Sequence, residues 1–454
     1  TKSVKHCVEK IDVNGSTITN KEDISKSFNE YFVNIGFNLT NNVQYSNSFY
    51  NDNVFVNDKS AYFTPISCKE IIDIVRCLKN GTSAGYDDIN ITVVKKIIHL
   101  ICVPLCSIFN SCLSTGIFPN QMKIAKVIPV FKSGDRTNVH NYRPISVLPI
   151  FSKIFEKCLY KRLSTFLTSC NILSENQHGF RTGHSTTTAL LNFIDKVSYA
   201  IDSRQFTIGL FLDLSKAFDT LDHVILLRKL EAYGIRGILL QLFKDYLSNR
   251  QQFVSIQNQQ SSYLPIRCGV PQGSILGPLL FLIYINDIVS SSDLLHFILF
   301  ADDTSVFMSH NNLRTLVDSF NSEINKLSEW LINNKLVLNV AKTQYIVFTK
   351  RRIEDNFAIN FYGHQINRTS CVKFLGVHID ESLTWHEHVG VVCNRVAKFV
   401  GIIYHLRHFP RHILVMLYYA LIFSHVNYCN IAWSNGHDYF ITKLFVLQKK
   451  GILE

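Results

Sequence analysis

The chain has 454 residues, 47% hydrophobic and 18% charged, a balance that excludes a long disordered protein. It allows a large core divided among roughly two to four subdomains. Lys+Arg 46 against Asp+Glu 35 leaves a formal charge of +11, which suits a polyanionic partner. The only polybasic run is Lys350-Arg351-Arg352, so the charge is spread as along a groove, not gathered in a tail. None of the 12 cysteines forms a Cys-x-x-Cys pair, and Cys102, Cys106 and Cys158 fall on apolar helical faces. Reduced thiols in an intracellular compartment are expected. His386, His388 and Cys393 lack a fourth partner at zinc spacing. No unbroken run of 18 apolar residues and no leader is present, so no membrane span is expected. The start at Thr1 and the stop at Glu454, just after a helical run, suggest a fragment of a longer polypeptide.

Residues 1 to about 60 are Asn- and Ser-rich and read as a linker with one amphipathic helix, Ile24 to Phe37. A helix over Ile66 to Leu78 precedes the Gly-bracketed loop Gly81 to Ile89, and another helix runs from about Ile91 to Phe109. Lys123 to Phe131 alternates as a strand and turns back at Ser133-Gly134-Asp135. Lys132 and Arg143 then flank a hairpin, as a phosphate clamp or as surface charge. Leu148 to Leu167 is a long helix. Gln177-His178-Gly179-Phe180-Arg181 is a loop, and Ser185 caps a helix to about Ser203.

Strand Phe206 to Leu212 runs into Asp213, which reads as a metal ligand at a strand end or as an N-cap for the next segment. Helices are expected over Leu221 to Ala232 and Gly237 to Leu247, and a strand pair over Gln252 to Ile256 and Tyr263 to Arg267. The Gly/Pro loop Cys268 to Ser274 leaves backbone N–H groups free ahead of the apolar helix Ile275 to Ile288, which favours an anionic ligand. Phe297 to Phe307 is a hairpin with Asp302-Asp303 at its tip. Two adjacent acids there are a solvated turn, or are neutralised by divalent cations or basic groups. Next come helix Leu313 to Asn333, strand Gln344 to Thr349, a hairpin over Phe357 to Ile366 and a strand with a mid-strand Gly over Lys373 to Asp380. His386 to Lys450 is helical, aromatic and basic, and the whole pattern reads as α+β.

The order of these blocks resembles the reverse transcriptases: a strand ending in Asp213, a Pro271-Gln272-Gly273 loop, then the Asp302-Asp303 hairpin. Ser83 to Asp87, Asn141 to Ser146, Gln177 to Arg181 and Lys373 to Val377 extend the likeness over about residues 66 to 450. Ser215 to Asp219, Gly273 to Pro278 and Phe300 to Thr304 are most similar to the non-LTR, LINE-type retrotransposons near the jockey-like elements.

The resemblance implies a right-hand polymerase fold: an N-terminal extension over 1–65, fingers and their palm connection over 66–205, a palm with primer grip over 206–380, and a helical thumb over 381–454. It implies an RNA-directed DNA polymerase working by two-metal nucleotidyl transfer, with two Mg²⁺ ions, or Mn²⁺ as substitute, on Asp213 and Asp302. Asp303 is the second acid of the pair. Lys132, Arg143, Gln272 and Gly273 would meet the incoming nucleotide, Phe218 would act as a steric gate against a ribose 2′-OH, and Lys342 would help pyrophosphate leave. Phe374, Leu375 and Gly376 would form the primer grip. The implied partners are an RNA template, a DNA primer, dNTPs and an upstream endonuclease domain, with no membrane. The implied localisation is intracellular, nuclear at the integration step and cytoplasmic otherwise. Met122 departs from the Trp common in such relatives.

Overall fold

The computed structural model describes residues 8–13, 15–41, 55–353, 357–434 and 438–453. The chain forms two compact units of mixed α and β structure, each assembled from separate stretches of sequence.

The first unit combines Thr1–Ser174, Ser215–Ser290 and Trp330–Val337. Its sheet runs in the order Tyr142–Val147, Ile124–Phe131, Gln251–Ile256, Gln259–Gln260, and Leu264–Pro265 also pairs with Gln251–Ile256. The first pair is antiparallel with Phe131 opposite Tyr142; Ile124–Phe131 and Gln251–Ile256 run parallel, with Ile124 opposite Gln251. Helix Lys21–Asn41 buries Ile24, Phe28 and Phe32, spaced four residues apart on one face, against Val127, Tyr142 and Val254. The hairpin Ile11–Val13 with Ser16–Ile18 joins that core. The segment expected as a linker is therefore packed structure over its described first half. The amphipathic helix expected over Ile24 to Phe37 is present as Lys21–Asn41, and its apolar face is enough to seat it.

Helix Cys68–Cys77 is capped by Ser67, whose hydroxyl accepts from Glu70 N–H at 3.2 Å. Helix Ile91–Thr115 ends at Gly116, in the left-handed region at φ 71°. It buries Val94, Ile98, Cys102, Leu105 and Phe109, and leaves Leu100 and Val103 exposed. By length and composition alone this helix is apolar enough to cross a membrane, although the sequence holds no unbroken apolar run of that length. Ser, Asn and His break the run, so a search for unbroken apolar sequence passes over it. Its buried face makes it equally a core helix of this unit, as the ring of Phe109 stacked 4.7 Å from Phe155 illustrates.

The second unit combines Glu175–Leu214, Ser291–Glu329 and Leu338–Glu454. Its sheet runs Asn367–Arg368, Gln344–Phe348, Phe206–Leu212, Asp303–His310, His296–Phe300. The central strand Phe206–Leu212 is apolar on both faces and nearly all buried, as a strand covered on both sides must be. It is antiparallel to both neighbours, with Thr304 opposite Leu212 and Gln344 opposite Phe211. Helix Thr186–Asp202 starts in a capping box from Ser185 and Thr188. Its Phe193 ring lies 5.1–5.8 Å from those of Phe211, Phe307, Phe348 and Phe374.

Cys371–Phe374 and Val377–Asp380 form a hairpin; the residue pattern alone suggested one strand with an internal glycine, while the family resemblance implied a primer-grip hairpin at Lys373 to Val377. Leu375 and Gly376 both have positive φ, 45° and 85°, the backbone of a two-residue turn. Without an Asn or Asp beside the Gly, the residue pattern did not show the turn. The same core takes in Val389, Val392 and Val396 of helix His386–His405, Ile422 of the π-turn Tyr418–Phe423, and Leu444 of helix Asp438–Leu453. The expected strand Tyr263 to Arg267 shrinks to Leu264–Pro265.

Candidate active site

In the second unit, Asp213 comes directly after the last residue of the central strand. The register pairs Thr304 with Leu212, so the next residue on each strand places Asp303 across from Asp213. Residues directly opposite in an antiparallel pair project to one face. Asp213 and Asp303 accordingly line one cleft of about 390 Å³, together with Lys342, Lys373, Phe374 and Leu375. Asp302 is half-buried in the turn and is not among the lining residues of that cleft.

Asp213 is held by a segment in which the sequence pointed only to Lys342. Asn339 Nδ2 donates to Asp213 Oδ2 at 2.9 Å, and Asn339 N–H donates to the Asp213 carbonyl at 2.8 Å. Asp213 N–H donates to Thr343 Oγ1 at 3.4 Å. Lys342 Nζ stands 3.7 Å from Asp213 Oδ2, with side chains 60% and 42% exposed, so solvent screens this pair strongly. Asn339 was missed because a single Asn in an irregular stretch carries no pattern; only the fold shows which carboxylate it serves.

The Asp302-Asp303 turn has its own support, again within the second unit. Ala301 stands at φ 56°, a left-handed conformation that costs a residue with a Cβ about 1–2 kcal/mol. Gln177 Oε1 accepts from Ala301 N–H at 3.0 Å and from Gly179 N–H at 2.8 Å. His178 N–H donates to the Leu299 carbonyl at 2.8 Å, and Leu299 N–H to the Asn176 carbonyl at 2.9 Å. Residues 176–178 thus run beside the edge strand His296–Phe300 as a short parallel bridge. A Cβ at Gly179 would overlap the Ala301 backbone nitrogen. Burial pushes the His178 imidazole down to about 4, so it is neutral at physiological pH, with Nδ1 3.0 Å from Thr188 Oγ1. The block Gln177 to Arg181 was visible in sequence, but its contact with the turn was not.

The remaining expected residues belong to the first unit. Gly273 has φ 125°, and a Cβ there would meet the Ser146 carbonyl oxygen at 2.5 Å, so only glycine fits. The Gln272 carbonyl accepts from Ser146 N–H at 2.8 Å, which docks the loop on strand Tyr142–Val147. Glu156, fully buried, accepts from Ile275 N–H at 2.7 Å and Leu276 N–H at 3.3 Å, just ahead of helix Gly277–Ile285. Burial raises its carboxyl above the usual range. Arg143 lies on an exposed strand position, and Lys132 is exposed beyond the end of the paired strand. Phe218 is half-buried, its ring 4.7 Å from that of Phe281. In the second unit, the Leu375 carbonyl accepts from Tyr428 Oη at 2.7 Å, which ties the Leu375–Gly376 turn to the C-terminal helices.

The donor set suits a hard divalent cation in one limited sense. Carboxylate oxygens are the right ligands, but among the described residues no group of three His, Cys, Asp or Glu side chains is close enough to hold a metal ion. Mg²⁺ fits such a site, since it is commonly held by one or two carboxylates plus substrate phosphates.

The Gly179 contact is testable. Gly179→Ala should destabilise the protein by about 1–3 kcal/mol through overpacking against the turn. Gly390→Ala, at a helical position with open space, should be neutral or stabilising by up to about 1 kcal/mol. Urea denaturation of both variants checks this; equal stabilities would place Gly179 away from the turn.

The sequence profile described as reverse transcriptase (RNA-dependent DNA polymerase) matches residues 131–379. The chain is 29% identical over 343 residues to the Drosophila melanogaster protein named probable RNA-directed DNA polymerase from transposon BS, covering 73% of this chain and 37% of that protein. It is 28% identical over 333 residues to the RNA-directed DNA polymerase from mobile element jockey of the same organism, covering 71% and 36%. It is 29% identical over 344 residues to the probable RNA-directed DNA polymerase from transposon X-element, covering 74% and 38%. The chain thus spans a little over a third of the length of these relatives. The matched stretch contains Asp213, Gln272, Asp302, Asp303 and the Leu375–Gly376 turn, and the chain belongs to the reverse transcriptase family.

Proposed function

We propose that this chain is the RNA-directed DNA polymerase of a non-LTR, jockey-like retrotransposon, copying the element's RNA into DNA. The observation that carries the reading is the shared cleft of Asp213 and Asp303, with Lys342 and with Phe374 and Leu375 of the hairpin turn, all inside the matched stretch. In this reading residues 66–205 serve as fingers, 206–380 as palm and 381–454 as thumb, the last gripping primer–template through backbone contacts. An endonuclease in the element's polyprotein would nick the target, and the enzyme would work in the nucleus at integration and reside in the cytoplasm otherwise.

Asp213 and Asp302 would hold two Mg²⁺ ions, which when bound supply charge stabilisation at the attacking 3′-oxygen and the leaving pyrophosphate. The assignment of Asp302 rests on the resemblance to the reverse transcriptases, and the strained Ala301 just before it is a feature of the turn in keeping with that role. A backbone held at positive φ by Gln177 and Gly179 fixes the residue next to it, whereas Asp303 begins an ordinary strand. Asn339 orients the Asp213 carboxylate. Lys132, Arg143, Gln272 and Gly273 contact the nucleotide, Phe374 to Gly376 hold the primer end, and Lys342 donates a proton to pyrophosphate.

Primer extension on an RNA template with Mg²⁺ and dNTPs tests the reading. Asp213→Ala and Asp302→Ala should each lower turnover by on the order of 10³-fold or more, and Asp303→Ala by less. Template binding retained without extension by the wild-type protein would sink the polymerase assignment. A larger loss at Asp303 than at Asp302 would move the metal role to Asp303.

Phe218→Val should admit ribonucleotides, read as a fall in the dNTP/rNTP preference. An unchanged preference would leave Phe218 as a packing partner of Phe281. Lys342→Ala should lower kcat; if kcat stays as in the wild type, Lys342 serves only as the counter-charge of Asp213.

A further inference from the structure

Asp219 lies six residues beyond Asp213. In the first unit, Gln272 Nε2 donates to both of its carboxylate oxygens, at 2.9 and 2.8 Å. A carboxylate only accepts, so the amide must turn its NH₂ end toward Asp219, whose two oxygens lie close enough together to share one N–H. With the NH₂ end held there, the side of the planar amide away from Asp219 presents Oε1, an acceptor.

Asp219 is itself tightly fixed. Its N–H donates to the Lys216 carbonyl at 2.8 Å, and its carbonyl accepts from Cys268 Sγ at 3.5 Å. A Cβ at Gly269 would meet that carbonyl oxygen at 2.7 Å, and one at Gly36 of helix Lys21–Asn41 would overlap it. Asp219 and Gln272, with Pro144, Ser146 and Cys268, line a cavity of about 30 Å³. Burial pushes the Asp219 carboxyl up to about 6, with the Gln272 hydrogen bonds and the nearby Lys216 opposing. At neutral pH it is ionised and can only accept.

We propose that Asp219 is a positioning residue that turns the Gln272 amide oxygen toward the nucleotide pocket, making Gln272 an acceptor selective for a hydroxyl or amine on the substrate. This rests on the assignment of Gln272 to that pocket under the polymerase reading. Without Asp219 the amide rotates freely about its last torsion and presents N–H as readily as C=O. Asp219→Asn replaces a group that only accepts by one that also donates, so either end of the Gln272 amide can face it and the orientation loosens with little change in volume.

Primer extension on an RNA template with Mg²⁺ gives the first readout. Asp219→Asn and Asp219→Ala should raise KM for dNTP by about tenfold, the scale of one hydrogen bond, with kcat changed less than about threefold. In a Gln272→Ala background, Asp219→Ala should add nothing. An unchanged KM, or effects that add across the two sites, overturns the proposal. The second readout does not depend on activity. In protein labelled with ¹⁵N-glutamine, the Gln272 side-chain NH₂ pair is identified by its loss in Gln272→Ala. It should shift and exchange faster with water in Asp219→Asn; an unmoved pair overturns the proposal. If the wild-type protein extends no primer, the polymerase reading fails. The amide spectrum, with equilibrium binding of Mg²⁺–dATP in place of KM, then still decides the Asp219 role: weaker binding in Asp219→Asn supports it and equal binding refutes it.

Discussion

The side-chain oxygen of Gln177 holds two backbone N–H groups at once, one on its own loop and one on the turn that carries the paired acids. The second unit's candidate chemistry depends on this contact. Gln177 is only 2% exposed, so the Ala301 and Gly179 N–H groups would otherwise be buried without partners, at a cost of about 1–3 kcal/mol each. That penalty is of the same order as the strain of Ala301 in the left-handed region. The two hydrogen bonds therefore offset the strain, and the turn stays in a conformation that an Ala-Asp-Asp tripeptide would not hold alone. Gly179 supplies the remaining condition, because the loop can come this close only where no Cβ intervenes.

The opposite wall is held by different means. Asp213 leaves the central strand, and its carbonyl and carboxylate are taken up by the backbone and side chain of Asn339, while its N–H goes to Thr343. One wall is thus fixed by a loop before the central strand and the other by a loop after helix Leu313–Asn333. The strands between contribute rigidity: Phe206–Leu212 is buried on both faces, and the Phe193 ring packs against phenylalanines from three strands of the sheet and from the Cys371–Phe374 strand.

How much was legible in the sequence depends on the range of the forces involved. Strand Phe206–Leu212 and helix Leu313–Asn333 were readable to the residue, because each is set by its own apolar periodicity and a clear break at both ends. The acids and the Pro-Gln-Gly loop stood out through their order along the chain, since an Asp-Asp turn taken alone is as readily a plain solvated turn. The partners that orient them did not. Asn339 lies 126 residues from Asp213, and Gln177 lies 124 from Ala301, so local pattern holds no trace of either pairing. The Leu375–Gly376 turn is wholly local, but its first residue is a leucine, which does not advertise positive φ, so only the family resemblance pointed to a hairpin there. Helix Lys21–Asn41 was legible from the spacing of Ile24, Phe28 and Phe32, but its partners on the sheet, more than ninety residues away, were not.

The charges of the carboxylate cleft limit what it can bind unaided. Asp213 and Asp303 line it with two negative charges, and Lys342 and Lys373 line it with two positive ones, so its formal charge is zero. Lys342 already stands beside Asp213, and both are open to solvent. A cleft balanced in this way has little field with which to collect a bare dication, and the described residues add no third ligand. A triphosphate would change the balance, because it brings its own negative charge and offers anionic oxygens to both lysines. Under the polymerase reading, cation and nucleotide affinity are then coupled, and each depends on the other more than on the protein. The same arithmetic explains why a residue such as Asn339 is useful beside Asp213. A neutral amide orients the carboxylate without adding charge, whereas another lysine in that place would compete with the cation for the same oxygen.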